Sequence, residues 1–131
     1  MQLMKSVLAN VFILTFVFFL YVLPVKAEQI NSFDADITVN RDGTITVNEV
    51  ILYDFGALER HGILRTIPYL KTNTQGKQYK LDLQVQGVYD EPGVAYRYTT
   101  SRENNQLQIK IGDPNRTVTG VHTYVITYRV K

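Results

Sequence analysis

Side chains alternate in character along most of this chain. In "DADITVN", Ile37 and Val39 fall on one side of an extended backbone. "TITVNEVILYDF" continues the alternation, with Ile45, Val47, Ile51 and Tyr53 sharing a face. A period of two is the spacing of a β-strand, whose successive side chains point to opposite faces. Between the two runs lies "RDG", where Gly43 supplies a left-handed turn position. The pair therefore reads as a hairpin. Glu49 interrupts its apolar face, while Val50 and Leu52 point the other way, a pattern compatible with a phase shift through a bulge.

The same reading continues downstream. "GALERHGILR" breaks the period and reads as a loop. "TIPYL" is a short extended piece that Pro68 places at a sheet edge, and "TNTQGKQ" is a polar turn. "YKLDLQVQGVYD" aligns Tyr79, Leu81, Leu83 and Val85. "VAYRYTT" aligns Val94, Tyr96 and Tyr98, and "QLQIKIG" aligns Leu107, Ile109 and Ile111. "VHTYVITYRVK" ends the sequence with Tyr124, Ile126, Tyr128 and Val130 on one face. About seven short strands with regular turn signals predict an all-β fold, an antiparallel β-sandwich of immunoglobulin-like architecture. The Cys…Trp…Cys pattern of antibody domains is absent.

The first 27 residues are of another kind. "MQLMK" is followed by a run apolar apart from Ser6, Asn10 and Thr15, then by "PVKAEQ". A basic start, an apolar core and a small-x-small site at Val25 and Ala27 read as a secretory signal peptide cleaved after Ala27. An uncleaved membrane anchor is the competing reading, because Val7 to Leu23 approaches the roughly 20 residues of a spanning helix. Residues 28–131 then form the β domain, on the extracytoplasmic side of a cell membrane.

Composition narrows the chemistry. The chain carries 14 basic and 12 acidic residues, and Lys5 and Lys26 belong to the leader. The remainder is balanced, without the basic stripe of a nucleic-acid binder. Having no cysteine, the chain can form neither disulfides nor thiolate metal sites. His61 and His122 lie far apart, and no acidic loop has the density of a calcium site. Ser6, Ser32 and Ser101 lack a nucleophile elbow. Asp34 and Asp36 share a face, and Asp90 and Glu91 are adjacent. Both pairs lie near turns or the mature terminus, where solvated charges are the norm. No catalytic, metal or cofactor site follows, and the chain reads as non-catalytic.

Binding is the remaining possibility. "ERHGILRTIP" collects Arg60, His61 and Arg65 beside Gly62 and Pro68. Arginine forks suit an anion. The structural alternative has Gly62 at a positive φ, Ile63, Leu64 and Ile67 plugging a core, and Arg65 bonding carbonyls or a carboxylate such as Asp54 or Glu59. Tyr96 and Tyr98 could stack a cell-wall glycan, although such rows more often fill a core.

Four landmarks occur in order: "INSFDADITVNRDGTITVNEVI", "HGILRTIP", "IKIGDP" and "GVHTYVITYRV". Together they resemble the amino-terminal region of a family of predicted bacterial membrane proteins, domain of unknown function 2207. The resemblance rests on Asp42-Gly43, Gly62-Ile63, Arg65, Pro68, Ile111-Gly112-Asp113, and Gly120 with Thr123, Tyr124, Ile126 and Tyr128. It implies a longer protein, with further strands and transmembrane helices downstream, so that the sandwich here is incomplete at its C-terminal end. It implies no activity. The expectation is an interaction or assembly module of the envelope. A glycan-binding domain is the alternative, and a hydrolase the third choice.

Overall fold

The computed structural model describes Met1 and residues 27–131; the expected signal segment lies almost wholly outside the described residues. Nine strands follow one another: β1 (Gln29–Val39), β2 (Ile45–Asp54), β3 (Ile63–Pro68), β4 (Leu70–Thr72), β5 (Gln78–Lys80), β6 (Leu83–Tyr89), β7 (Tyr98–Glu103), β8 (Gln106–Ile111) and β9 (Val121–Val130). They form a four-stranded sheet in the order β1-β2-β9-β6, a three-stranded sheet β3-β8-β7, and a small hairpin β4-β5. Every pairing is antiparallel.

The β1–β2 hairpin is the one the sequence predicts. Gly43 has φ +81°, and the Asp42 carboxylate accepts bonds from the backbone N and the hydroxyl of Thr44, at 3.1 and 2.6 Å. These bonds, the hydroxyl first, hold Asp42 below the usual carboxylate pKa. Between β7 and β8, Asn104 and Asn105 both adopt positive φ, as a two-residue I′ turn requires.

Several details differ from the sequence reading. The strand expected over "VAYRYTT" begins only at Tyr98, with Val94 and Tyr96 outside it. "ILR" is strand, because β3 pairs with β8 from Ile63↔Ile111 onward. The run "YKLDLQVQGVYD" is divided: Leu81 N bonds Tyr69 O, whereas Asp82 N bonds Lys131 O. The backbone there leaves the β4-β5 hairpin and joins the sheet beside β9. The register of β2 against β9 is unbroken past Glu49, and the irregularities lie at Ile30/Ser32 in β1 and Val85/Gly87 in β6.

The core draws on both larger sheets. Val47, Ile51, Leu83, Val88, Tyr124, Ile126 and Tyr128 come from the four-stranded sheet, and Ile67, Leu107, Ile109 and Ile111 from the three-stranded one. Two arginines tie the sheets at opposite margins. Arg65 of β3 reaches Glu49 of β2. Arg102 of β7 donates to Leu83 O of β6 at 2.6 Å.

Candidate functional site

Glu49 stands on the inward face of β2 and is 3% exposed. A lone carboxylate there is costly unless a cation and hydrogen bonds satisfy it. Arg65 supplies both, with Nε and Nη2 each 2.7 Å from a Glu49 oxygen. Its Nη1 donates to Thr66 O at 2.7 Å. Tyr128 completes the shell by donating its hydroxyl to Glu49 Oε1 at 2.9 Å. The bond to Glu49 raises the Arg65 pKa. Burial, and then donation to Glu49, push the Tyr128 phenol above its ordinary value. Phe33 of β1 caps the guanidinium, its ring centre 5.5 Å away. The carboxylate partner is therefore Glu49, not Asp54 or Glu59. Both Glu49 oxygens and all three guanidinium nitrogens have protein partners within this group.

The preceding residues form a corner. Gly62 has φ +132° and Gly112 has φ +131°. A Cβ on Gly62 would lie 1.9 Å from Ile111 O, and one on Gly112 would lie 1.8 Å from His61 O. The two backbones touch where β3 begins and β8 ends, so glycine is required on both sides. His61 Nδ1 is 3.0 Å from Arg116 O, and Arg60 exchanges backbone bonds with Val118. The Arg60 side chain pairs with Glu28 at 3.0 Å. That bond holds the Glu28 carboxyl below its usual range.

Tyr96 and Tyr98 are each partly buried. Tyr96 lies 4.9 Å from Tyr124, centre to centre. Tyr124 is near His122, which neighbours Phe55, which neighbours Tyr53. Tyr98 sits opposite Ile111. His61 and Tyr96 come together in a cleft of about 280 Å³, with Arg97, Asp113 and Arg116. Tyr98 lines a separate hollow with Leu83, Val85 and Arg102. Arg65 and Arg60 line neither. The five residues singled out from the sequence thus do not form one site.

Residues 29–131 match the family described as "Predicted membrane protein (DUF2207) N-terminal domain". The chain belongs to the DUF2207 family. No curated protein and no solved structure matches it. Among the described residues of this DUF2207 domain, no helix is long and apolar enough to cross a membrane.

The surface most unusual for a folded domain is one that motif reading passed over. Strand β1 is exposed at all eleven positions. Its register pairs Phe33 with Ile51, Ala35 with Glu49, and Ile37 with Val47. Directly opposed residues share a face, so these β1 side chains lie on the core face of the sheet. Ile51 and Val47 are buried, whereas Ile37 is 66% and Val39 74% exposed. The inner face of this DUF2207 domain runs sideways out of its core into solvent. The signal was present in the sequence as the Ile37/Val39 alternation, but that pattern cannot tell a covered face from an open one.

Proposed function

We propose that this DUF2207 domain is a non-catalytic, extracytoplasmic interaction or assembly module of a membrane-anchored envelope protein. In this reading the two sheets pack as a sandwich of immunoglobulin-like architecture, and the module works by offering a sheet edge to a partner. One observation carries the proposal: β1 is an eleven-residue edge strand whose apolar face lies largely open to solvent, Phe33 meeting Arg65 but Ile37 and Val39 standing mostly in water. Long exposed edges are blunted or used in native proteins, because they template strand pairing. The polar clusters fit the same reading, since Arg65, Arg60 and His61 all serve internal contacts.

Labelling in intact cells tests it. The native chain has no cysteine, so Val39→Cys and Lys77→Cys give clean single reporters. A membrane-impermeant maleimide should label Lys77→Cys in cells, and Val39→Cys only after extraction from partners. Equal labelling at both sites in cells would remove the edge from the mechanism. No labelling of Lys77→Cys would place the domain on the other side of the membrane.

A cell-wall glycan site is the second reading, supported by the cleft that holds His61, Tyr96, Arg97 and Arg116. Soluble glycan fragments should then shift Tyr96 signals, and Arg116→Ala should abolish the shift.

A further inference from the structure

The interaction reading leaves the partner's chemistry open, and β1 constrains it. Among the free edges, β3 ends in Pro68, β6 carries the Val85/Gly87 irregularity, and β7 has six residues. Among the described strands only β1 offers an unbroken register of useful length, from Ser32 to Val39. Its core face presents Phe33, Ala35, Ile37 and Val39. Its other face presents Asp34 and Asp36 beside Val50 and Asn48 of β2. Neither carboxylate has an ion-pair partner among the described residues.

We propose that β1 takes up an extended strand in which apolar residues alternate with lysine or arginine. The apolar residues would continue the core face beside Phe33, Ile37 and Val39. The basic residues would stand opposite Asp34 and Asp36, where cross-strand charge pairs add stability. This rests on the interaction reading above. A second copy of the same strand is a poor occupant. Two-fold pairing centred on Asp34 or Asp36 sets that residue against itself, and pairing centred on Ala35 sets Asp34 against Asp36, so the registers centred on residues 34–36 each place like charges directly opposite, which is destabilising. The two carboxylates therefore disfavour these central self-pairings and favour a basic strand, one device serving both ends.

The test uses the whole chain with its own leader, purified in mild detergent. Three labelled ten-residue peptides are titrated by fluorescence anisotropy: alternating Lys-Val, alternating Glu-Val, and Lys-Val with every second amide N-methylated. The Lys-Val peptide should bind about tenfold more tightly than Glu-Val. The Asp34→Lys/Asp36→Lys variant should reverse that order, and N-methylation should abolish binding. Hydrogen exchange should slow in residues 32–39. Both positions are exposed, and unchanged thermal unfolding will show that the variant folds; Asp34→Asn/Asp36→Asn, which should erase the preference, is the second variant. Equal binding of both charged peptides at β1 would overturn the charge rule and leave the interaction reading standing. No peptide-dependent protection of residues 32–39 would overturn both. Protection without peptide that grows with protein concentration would make the occupant a second copy, and protection only on adding anionic lipid vesicles would make it a membrane surface. Either result would sink the proposal.

Discussion

Gly62 and Gly112 meet backbone to backbone, and the carbonyl of the residue before each, His61 and Ile111, fills the space where a side chain on the other would stand. Alanine at either position should prevent stable folding, because a Cβ would lie under 2 Å from a carbonyl oxygen on an adjoining strand end. Gly76 is the control. It too has positive φ, but open space surrounds it, so Gly76→Ala should cost only about 1 kcal/mol. Urea unfolding of the three variants measures the contrast, and similar losses would show that the close approach is not rigid.

The arginine clasp makes a different prediction. Arg65→Ala leaves Glu49 buried without its cation and should destabilise the domain by about 3 kcal/mol, the low end for a broken buried pair because Arg65 keeps 27% of its side-chain surface exposed. Arg65→Met with Glu49→Leu should recover part of that loss, since an apolar pair of similar bulk leaves no buried charge, although the Tyr128 hydroxyl loses its acceptor. Thermal unfolding of single and double variants decides the matter. A double variant as unstable as Arg65→Ala would mean that the charge pair contributes more than its mutual neutralisation.

Alkaline pH should unfold the domain through its buried phenols. Tyr124 and Tyr128 titrate above the ordinary value of 10.0, chiefly because burial disfavours the phenolate. A raised folded pKa gives stability that is intact below the unfolded value and lost as pH climbs toward the folded one. Stability should therefore hold to about pH 10 and then fall by roughly 1.4 kcal/mol per pH unit for each such phenol. Ultraviolet titration should show phenolate from these two residues appearing together with unfolding. Tyr128→Phe should soften the slope, and an unchanged slope would contradict the assignment.

At the open edge, Ile37→Thr and Val39→Thr should change stability by no more than about 0.5 kcal/mol, because both side chains are already largely in water. The same changes should reduce aggregation in concentrated solution, read by light scattering. A loss of several kcal/mol would mean that the face is covered in the folded state.

How legible this was depends on distance along the chain. The β1–β2 hairpin and its Asp42-Gly43 turn follow from residues within a few positions of one another, and they were readable. So was the positive φ of Gly62. Glu49 was visible as a flaw in an apolar face, but its answer lies 16 residues away in the other sheet, where no local period points. The need for Gly112 arises only once β3 and β8 are side by side. Tyr96 and Tyr98 carried no mark to separate a rim residue from a stacking platform. For β1, alternation identified the face correctly. What it could not convey is that β3 reaches β2 through Arg65 and Glu49 and touches β1 through Phe33, leaving Ile37 and Val39 beyond the cover.

The sheet order has a consequence for how such a chain is made. β9 is the last described strand in sequence, yet it lies between β2 and β6 in the middle of the four-stranded sheet. Thr44 and Arg129, joined by a hydrogen bond, are 85 residues apart in sequence. Closing so long a loop precedes any reward from the contacts it makes, and folds of this kind form slowly. Emerging amino end first, the β1–β2 hairpin must therefore wait with its β2 edge bare as well as its β1 edge until β9 arrives, and that interval is when the nascent chain is most open to capture by a chaperone or by the wrong strand.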